Sequence, residues 1–469
     1  MTGVVAVVAL TAELVASATG GRLIAGAGAA AFTGVAIDSR AVTPGVLFVA
    51  LPGTRTDGHA FVADAIARGA AGVLVSQTTT PAPGAAVILV PDVLAALQAV
   101  GREVRRRSGA TLIAITGSAG KTTTKELLAD LLSARYRTFR NRGNLNNHIG
   151  LPLSLTELAS GSEMAVVELG MNHAGEIRDL VAMADPQVRV WTNVGDAHIG
   201  HFGSSEALAA AKAEILEGAT PATVAVVNAD DARVMAQTAG FPGRVVTFGV
   251  GPAATVRATR IVDRGFDGST AEILTPAGPI AVTVALPGPA HLLNVLAAVA
   301  VATELGIDRD AIRARVAQAR AVARRGSEVR LANGARVIDD SYNASPAATA
   351  AMLQALAATP ATGRRIAVLG EMLELGADSR ARHHDTGGRA VESGVDLLVA
   401  VGGPAADGLI SGAVAAGLPA DRTRRFATAA AACAPIAALI RPGDLVLVKG
   451  SRGTGTDLIV DALAAGDAR

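Results

Sequence analysis

Residues Thr116-Gly117-Ser118-Ala119-Gly120-Lys121-Thr122-Thr123-Thr124 lie between an apolar strand-like run, Thr111 to Ile115, and a helix-like run, Glu126 to Leu132. A strand that ends in a small-residue turn and opens a helix is a phosphate-binding arrangement within an α/β sheet. Small residues let backbone N–H groups close around an anion, and the new helix adds its positive end. Lys121 reaches the outer phosphates and the Thr122 hydroxyl suits Mg²⁺. Gly117, Ser118, Ala119, Gly120, Lys121, Thr122 and Thr123 are therefore expected to bind nucleotide. The longer form of this loop would need glycine at 115, where the chain has Ile115, so the match is to Gly-x-x-Gly-Lys-Thr. A chance Gly/Ser/Thr turn is the alternative, and the strand before, the helix after and the Lys-Thr pair weigh against it.

At 469 residues the chain exceeds one ordinary core, and about 150 residues per domain suggests three domains. Apolar residues make up 50%, much of it alanine, with no uninterrupted apolar stretch of about 18 residues for a membrane span. Met1 to Thr19 carries Glu13 and no basic residue, unlike a signal peptide, so a cytoplasmic protein with no membrane insertion is expected. The single Cys433 excludes an internal disulfide and reads as a small core residue. A net charge of +1 and 3% aromatics offer neither a phosphate-tracking surface nor a base-stacking platform, so no nucleic acid is expected. The one basic cluster, Arg102 to Arg107, reads as a solvated helix end.

Short apolar strands repeatedly end in glycine or a small polar residue and lead into alanine-rich helices, the pattern of an α/β chain. A first block, to about residue 108, holds Leu47 to Leu51, a helix from Phe61 to Arg68 and a strand Gly72 to Val75. The second block continues through Met164 to Leu169, Val188 to Thr192 and Val224 to Asn228, runs that suit a buried parallel sheet. Ala253 to Val284 alternates with Gly and Pro breaks, as in a small antiparallel excursion, before a helix over Leu292 to Leu305. The third block, from near Arg324, has strands ending at Gly370, Gly402 and Gly450, and a helix after Pro346. Ligands of open parallel sheets bind beyond such strand ends.

Downstream of the loop, Glu168 ends one buried strand, Trp191 to His198 follows the next, and Lys212 lies in a helix soon after. Each alone has a bland reading: a helix cap, a satisfied core histidine, a surface charge. All three following a phosphate loop point instead to metal and phosphate chemistry, because a buried carboxylate should meet a cation. With the loop and the Ala211-Lys212-Ala213-Glu214-Ile215 helix, these segments resemble the Mur ligases, ATP-dependent amide-forming enzymes of peptidoglycan precursor synthesis. Gly143-Asn144-Leu145-Asn146-Asn147-His148-Ile149-Gly150, Asp339-Asp340-Ser341-Tyr342-Asn343, Gly370-Glu371-Met372-Leu373-Glu374-Leu375-Gly376 and Lys449-Gly450-Ser451-Arg452 resemble the member that joins D-alanyl-D-alanine to UDP-N-acetylmuramoyl-tripeptide.

The resemblance implies three domains: a small α/β domain for the UDP substrate (1–108), a central P-loop parallel-sheet ATPase domain (109–322) and a C-terminal Rossmann-like α/β domain (323–469). It implies ATP and Mg²⁺ at two sites, with Thr122 and Glu168 holding metal, His198 at a second metal site, and Lys212 carbamylated by CO₂ to supply a carboxylate there. Asn294 matches the family's adenine contact, with a helix N-cap as the alternative. Arg325 resembles the arginine that meets the terminal phosphate, although Arg324 beside it leaves open which enters the site, and Asp340 resembles an acidic residue near the nucleotide. Ser39 and Arg40, in Asp38-Ser39-Arg40, resemble part of the UDP site, as does Asp57-Gly58-His59; without the family these are turn chemistry. Gly370-Glu371-Met372 and Lys449-Gly450-Ser451 are candidates for the incoming dipeptide. A monomer is expected. The rivals are the sister ligase that adds the third, diamino residue, whose Asp-Asn-Pro-Arg segment this chain lacks, folylpolyglutamate synthetases, and a nucleotide-binding module without synthetic activity.

Overall fold

The computed structural model describes residues 8–53, 56–78, 84–195 and 202–466. The chain is a mixed α/β protein with three β-sheets and divides into two compact units. The first comprises residues 1–116, 135–189 and 214–224, the second 117–134, 190–213 and 225–469.

In the first unit, β1 (Arg22–Ala25), β2 (Val35–Ala36), β3 (Leu47–Val49), β4 (Gly72–Val75) and β5 (Ala86–Leu89) form a sheet in the order β1-β5-β4-β3-β2. Its strands are parallel except β1. Phe48, Val73, Val75 and Val87 pack against Val62 and Ala65 of helix Val62–Ala67. Helix Val93–Ser108 starts on Asp92, which accepts from Ala95 N at 3.0 Å, and stops at Gly109 in the left-handed region. The solvated helix end expected at Arg102 to Arg107 holds for Arg106 and Arg107, which pair with Glu103. Arg105 differs: it falls on the face that buries Leu97, Val104 and Ser108, and its guanidinium donates to Ala184 O, Asp185 O and Gln187 Oε1.

The chain then enters β6 (Thr111–Thr116), β7 (Thr138–Arg140) and β8 (Met164–Glu168), with β8 between the other two and all parallel. Every residue of β8 is buried, as a strand covered on both faces requires. The register sets Ile115 opposite Glu168.

Past β9 (Val188–Trp191) and β10 (Val224–Asn228), the second unit continues with β11 (Arg244–Gly249), β12 (Val256–Asp263), β13 (Ser269–Thr275) and β14 (Gly278–Val284). The last three form the expected antiparallel excursion, joined to β11 by parallel pairing at Phe248 and Val256. Helix Gly288–Glu304 is apolar around most of its circumference and correspondingly buried. The third sheet contains β15 (Ser327–Arg330), β16 (Arg336–Asp340), β17 (Arg365–Gly370), β18 (Leu397–Val401), β19 (Thr423–Phe426) and β20 (Leu445–Lys449), in the order β15-β16-β20-β17-β18-β19. It is parallel apart from β15. Apolar clusters cover both faces: Leu353, Leu356, Leu398 and Leu409 on one, Val368, Val399, Val446 and Ile459 on the other. Cys433 is half-buried against the second cluster.

Candidate functional site

Helix Lys121–Leu132 begins five residues before the apolar run that marks it in the sequence, directly after Gly120 at φ 84°. That N-terminus has no side-chain cap, so its leading amides remain directed at the loop. The loop is closed by residues from far along the chain. Ser118 N donates to Asn193 O at 3.0 Å, Ala119 N to Asn193 Oδ1 at 2.9 Å, and Thr192 Oγ1 to Ala119 O at 2.7 Å. Asn228 Nδ2 holds the Thr192 carbonyl at 2.9 Å. Two glycines are required here. A Cβ on Gly117, at φ 146°, would lie 1.9 Å from Thr192 Oγ1, and one on Gly120 would lie 2.2 Å from Asn294 Oδ1.

Lys121 Nζ folds back to Gly117 O at 2.8 Å, which aims its charge along the loop. Thr122 and Thr123 are buried. Asn294 sits inside helix Gly288–Glu304, so the N-cap alternative is excluded, and its Oδ1 accepts from Thr124 Oγ1 at 3.4 Å. Asn294 thus touches the loop helix from 170 residues away.

Lys212 lies in helix Ser205–Ala213 and is only 2% exposed. It has no ion pair among the described residues. Burial, and after it the charge of Lys121, pushes its ammonium well below the ordinary lysine range. A buried ammonium with no ion pair among the described residues gives up its proton more readily than a solvated one.

In the first unit, Glu168 is 1% exposed. Asn146 Nδ2 donates to its Oε1 at 2.6 Å, while its backbone N donates to Asn141 Oδ1 at 3.2 Å. Asn141 Nδ2 also holds Leu145 O at 2.9 Å, so the Asn-rich segment is folded around this carboxylate. The N-terminal motifs are turns capped by their own aspartates. Asp38 caps the 3₁₀ turn Ser39–Ala41 and pairs with Arg40, whose guanidinium beside it lowers the carboxyl to about 2. Asp57 caps Gly58–Phe61 and pairs with His59, whose Nε2 accepts from Ser76 N at 2.9 Å. Ser39 is buried and bonds Asp64. Asp196 and His198 lie outside the described residues.

The third sheet gathers another group at its strand ends. Lys449, 3% exposed, donates to Asp340 Oδ2 at 2.5 Å and to Asn343 O at 2.8 Å. Arg325 stacks on Tyr342 with its guanidinium 3.9 Å from the ring centroid. Arg324 turns the other way, at φ 63°, and its guanidinium bonds Asp457 and Asp461 of helix Asp457–Gly466. Two carboxylates therefore occupy Arg324, whereas Arg325 faces the ring. His291 is buried within the field of Asp340, Lys449 and Arg325 and bonds Pro287 O at 2.6 Å. Desolvation holds its imidazole below the usual histidine range. Of the dipeptide candidates, Glu371 Oε2 accepts from Gly403 N at 2.6 Å, Met372 N donates to His383 Nε2, and Ser451 Oγ accepts from Leu373 N at 3.0 Å.

Sequence reasoning had not singled out Asn193, Thr192, Tyr342 or His291. The signals available in the chain were the Thr-Asn pair at the end of β9, where ligands of parallel sheets gather, and the Asp339 to Asn343 segment that contains Tyr342.

Residues 115–302 match the Mur ligase middle domain, residues 324–452 the Mur ligase glutamate ligase domain, and residues 31–107 the Mur ligase family catalytic domain. The chain belongs to the Mur ligase family. It is 36% identical to the UDP-N-acetylmuramoyl-tripeptide--D-alanyl-D-alanine ligase of Escherichia coli over 92% of this chain and 93% of that protein. Its fold is similar to that of MurF from Acinetobacter baumannii, with a TM-score of 0.87 and 33% identity over 98% of this chain and 100% of the other. MurF ligase from Thermotoga maritima in complex with ADP gives a TM-score of 0.80 and 28% identity, covering 92% of this chain and 97% of that one. The family's three-domain α/β architecture is that of this chain.

Proposed function

We propose that this chain is the ATP-dependent ligase that joins D-alanyl-D-alanine to UDP-N-acetylmuramoyl-tripeptide, forming the pentapeptide precursor of peptidoglycan. The likeness to ligases of that name along 92% of the chain carries the reading, and the glycine-lined loop with Lys121 agrees with it. A carboxylate is inert to an amine until it bears a leaving group. The terminal carboxylate of the tripeptide takes the γ-phosphoryl group of ATP, ADP departs, and the dipeptide amine displaces phosphate from the acyl phosphate. Two anions must approach each other in the first step, and Lys121 with the loop amides (Gly117 to Thr123) screens them.

Arg325, rather than the occupied Arg324, meets the terminal phosphate. Asn294 contacts adenine, and Asp340 lies near the nucleotide. Ser39 and Arg40 contact the UDP end. The residues available for Mg²⁺ suit a hard cation: the buried Thr122 hydroxyl, the buried Glu168 carboxylate and, at a second site with His198, a carbamate on Lys212. Bound Mg²⁺ supplies charge neutralisation at the phosphates. The domains are taken as 1–108, 109–322 and 323–469, and the protein as a cytoplasmic monomer. No described helix is long and apolar enough to cross a membrane.

The test is direct: purified protein, ATP, Mg²⁺, UDP-N-acetylmuramoyl-tripeptide and D-alanyl-D-alanine, with the product mass recorded and single D-alanine as control. The expected product is the pentapeptide, with phosphate released only when both co-substrates are present. Phosphate release indifferent to the dipeptide would leave a nucleotide-binding module instead.

A further inference from the structure

Beyond Trp191 the chain leaves β9, and the backbone of residues 192–195 no longer has a strand's ladder to pair with. Buried backbone groups must still be paired, and here the partners come from two sides. One side is the phosphate loop. Ser118 N donates to Asn193 O at 3.0 Å, Ser118 Oγ to Gly195 O at 3.2 Å, and Ala119 N to Asn193 Oδ1 at 2.9 Å. The other side is the turn after β10. Asn228 Nδ2 holds Thr192 O at 2.9 Å, Asp231 Oδ2 accepts from Val194 N at 2.7 Å, and the Arg233 guanidinium donates to Val194 O. The carbonyls from Thr192 to Gly195 are thereby all satisfied, and Val194 is buried.

Asp231 also has a local duty. Its Oδ1 accepts from Arg233 N at 3.1 Å and starts the short helix Ala232–Ala236. That leaves Oδ2 for Val194, on a carboxylate whose side chain is only 11% exposed and lies 3.5 Å from Arg233 Nε. A bond to a charged group is stronger than one between neutral groups. The pair grips the N–H and the C=O of one residue, which fixes where its neighbours Asn193 and Gly195 stand, and those two hold the loop at Ser118 and Ala119. Among the described residues, neither Asp231 nor Arg233 bonds the loop itself. Asp230 faces the other way: its carboxylate accepts from Val250 N at 2.7 Å and Gly251 N at 2.8 Å, which seats the turn against the end of β11.

We propose that Asp231 and Arg233 are positioning residues for the nucleotide. Through Val194 they set Asn193, and through Asn193 they set the turn from which Lys121 meets the phosphates. The assignment rests on the ligase reading above. It places control of ATP binding in a turn more than 100 residues downstream of the loop.

The test measures ADP affinity by calorimetry, which needs no turnover, beside KM and kcat of ligation. Asp231→Ala should weaken ADP binding and raise KM for ATP by about tenfold each, with KM for D-alanyl-D-alanine within about twofold. Asp231→Asn, which keeps an oxygen for Val194 N and loses the charge, should recover part of the affinity, as should Arg233→Lys relative to Arg233→Ala. Asp230→Ala is the control from the same turn: it should lower the melting temperature and leave ADP affinity within about twofold. Adding Asp231→Ala to Asn193→Ala should cost less than the product of the two single effects, because both act through one segment; fully additive effects overturn the inference. Wild-type ADP affinity in both Asp231→Ala and Arg233→Ala overturns it too and reduces Asp231 to a helix cap. So does an Asp230→Ala enzyme that loses ADP affinity equally, since the turn as a whole is then responsible. If Asp231→Ala does not fold, Asp231→Asn and Arg233→Ala still decide. A wild type that binds ADP but forms no product overturns the ligase reading, and the ADP affinities then still decide this inference, which separates the two failures.

Discussion

The phosphate loop and the two N-terminal turns both carry motif residues, yet they are held in opposite ways. Asp38 and Asp57 close their turns with bonds to residues two positions on, Arg40 and His59. The loop from Gly117 to Thr124 is closed by Asn193, 74 residues away from Ala119, and by Asn294, 170 away from Thr124. Each turn is closed first by its own capping carboxylate, with Asp64 and Ser76 adding one outside bond apiece, and the first leaves Arg40 projecting, with 84% of its side chain exposed. A loop made by distant partners has its geometry only when the sheet and helix Gly288–Glu304 are assembled. Distant substitutions should therefore reach the chemistry through the loop, whereas the turns should respond only locally.

The largest effect is expected at Lys121. Lys121→Ala should lower ligation by about 1,000-fold or more with circular dichroism unchanged, because the backbone of the loop and its closing bonds from Asn193 and Thr192 are unaltered. Normal turnover would remove the loop from the mechanism. Lys212→Ala should come next, losing nearly all activity, with acetate or formate restoring a part that chloride at equal ionic strength does not. If carboxylates fail and Lys212→Arg is fully active, a cation is what the site uses and the carbamate is wrong. Asn294→Ala tests action at a distance: KM for ATP should rise by about tenfold with a smaller change in kcat, the pattern of lost uniform binding. A pure kcat effect would mean that Asn294 shapes the loop without touching the base.

The smallest effect belongs to the turns. Asp38→Ala should move the melting temperature at neutral pH by no more than about 2 °C, since an exposed pair is well screened. Its carboxyl is lowered from 3.8 to about 2 by Arg40, so whatever it adds is present above pH 3.8 and is lost as pH falls towards 2. The difference between variant and wild type should narrow over that window and stay flat above it. A large shift at neutral pH would show that more than the turn depends on this cap.

Covalent order and side-chain period were enough to read β6, the loop and its helix, the buried runs of β8 to β10, the antiparallel excursion and the strands of the third sheet. These depend on residues adjacent in the chain or on a repeat of two or about four positions, and the sequence alone determined them, as it did the residue types needed for ATP chemistry. Which of Arg324 and Arg325 is occupied was decided by Asp457 and Asp461, more than 130 residues on. The burial of Arg105 was decided by the helix face it shares, and Asn294's place inside a helix against Thr124 by the packing of two helices. Lys449's pairing with Asp340 came from the parallel register of β16 and β20. Local patterns specify what each segment becomes, but a hydrogen bond between residues far apart in the chain exists only once tertiary packing brings donor and acceptor within about 3 Å.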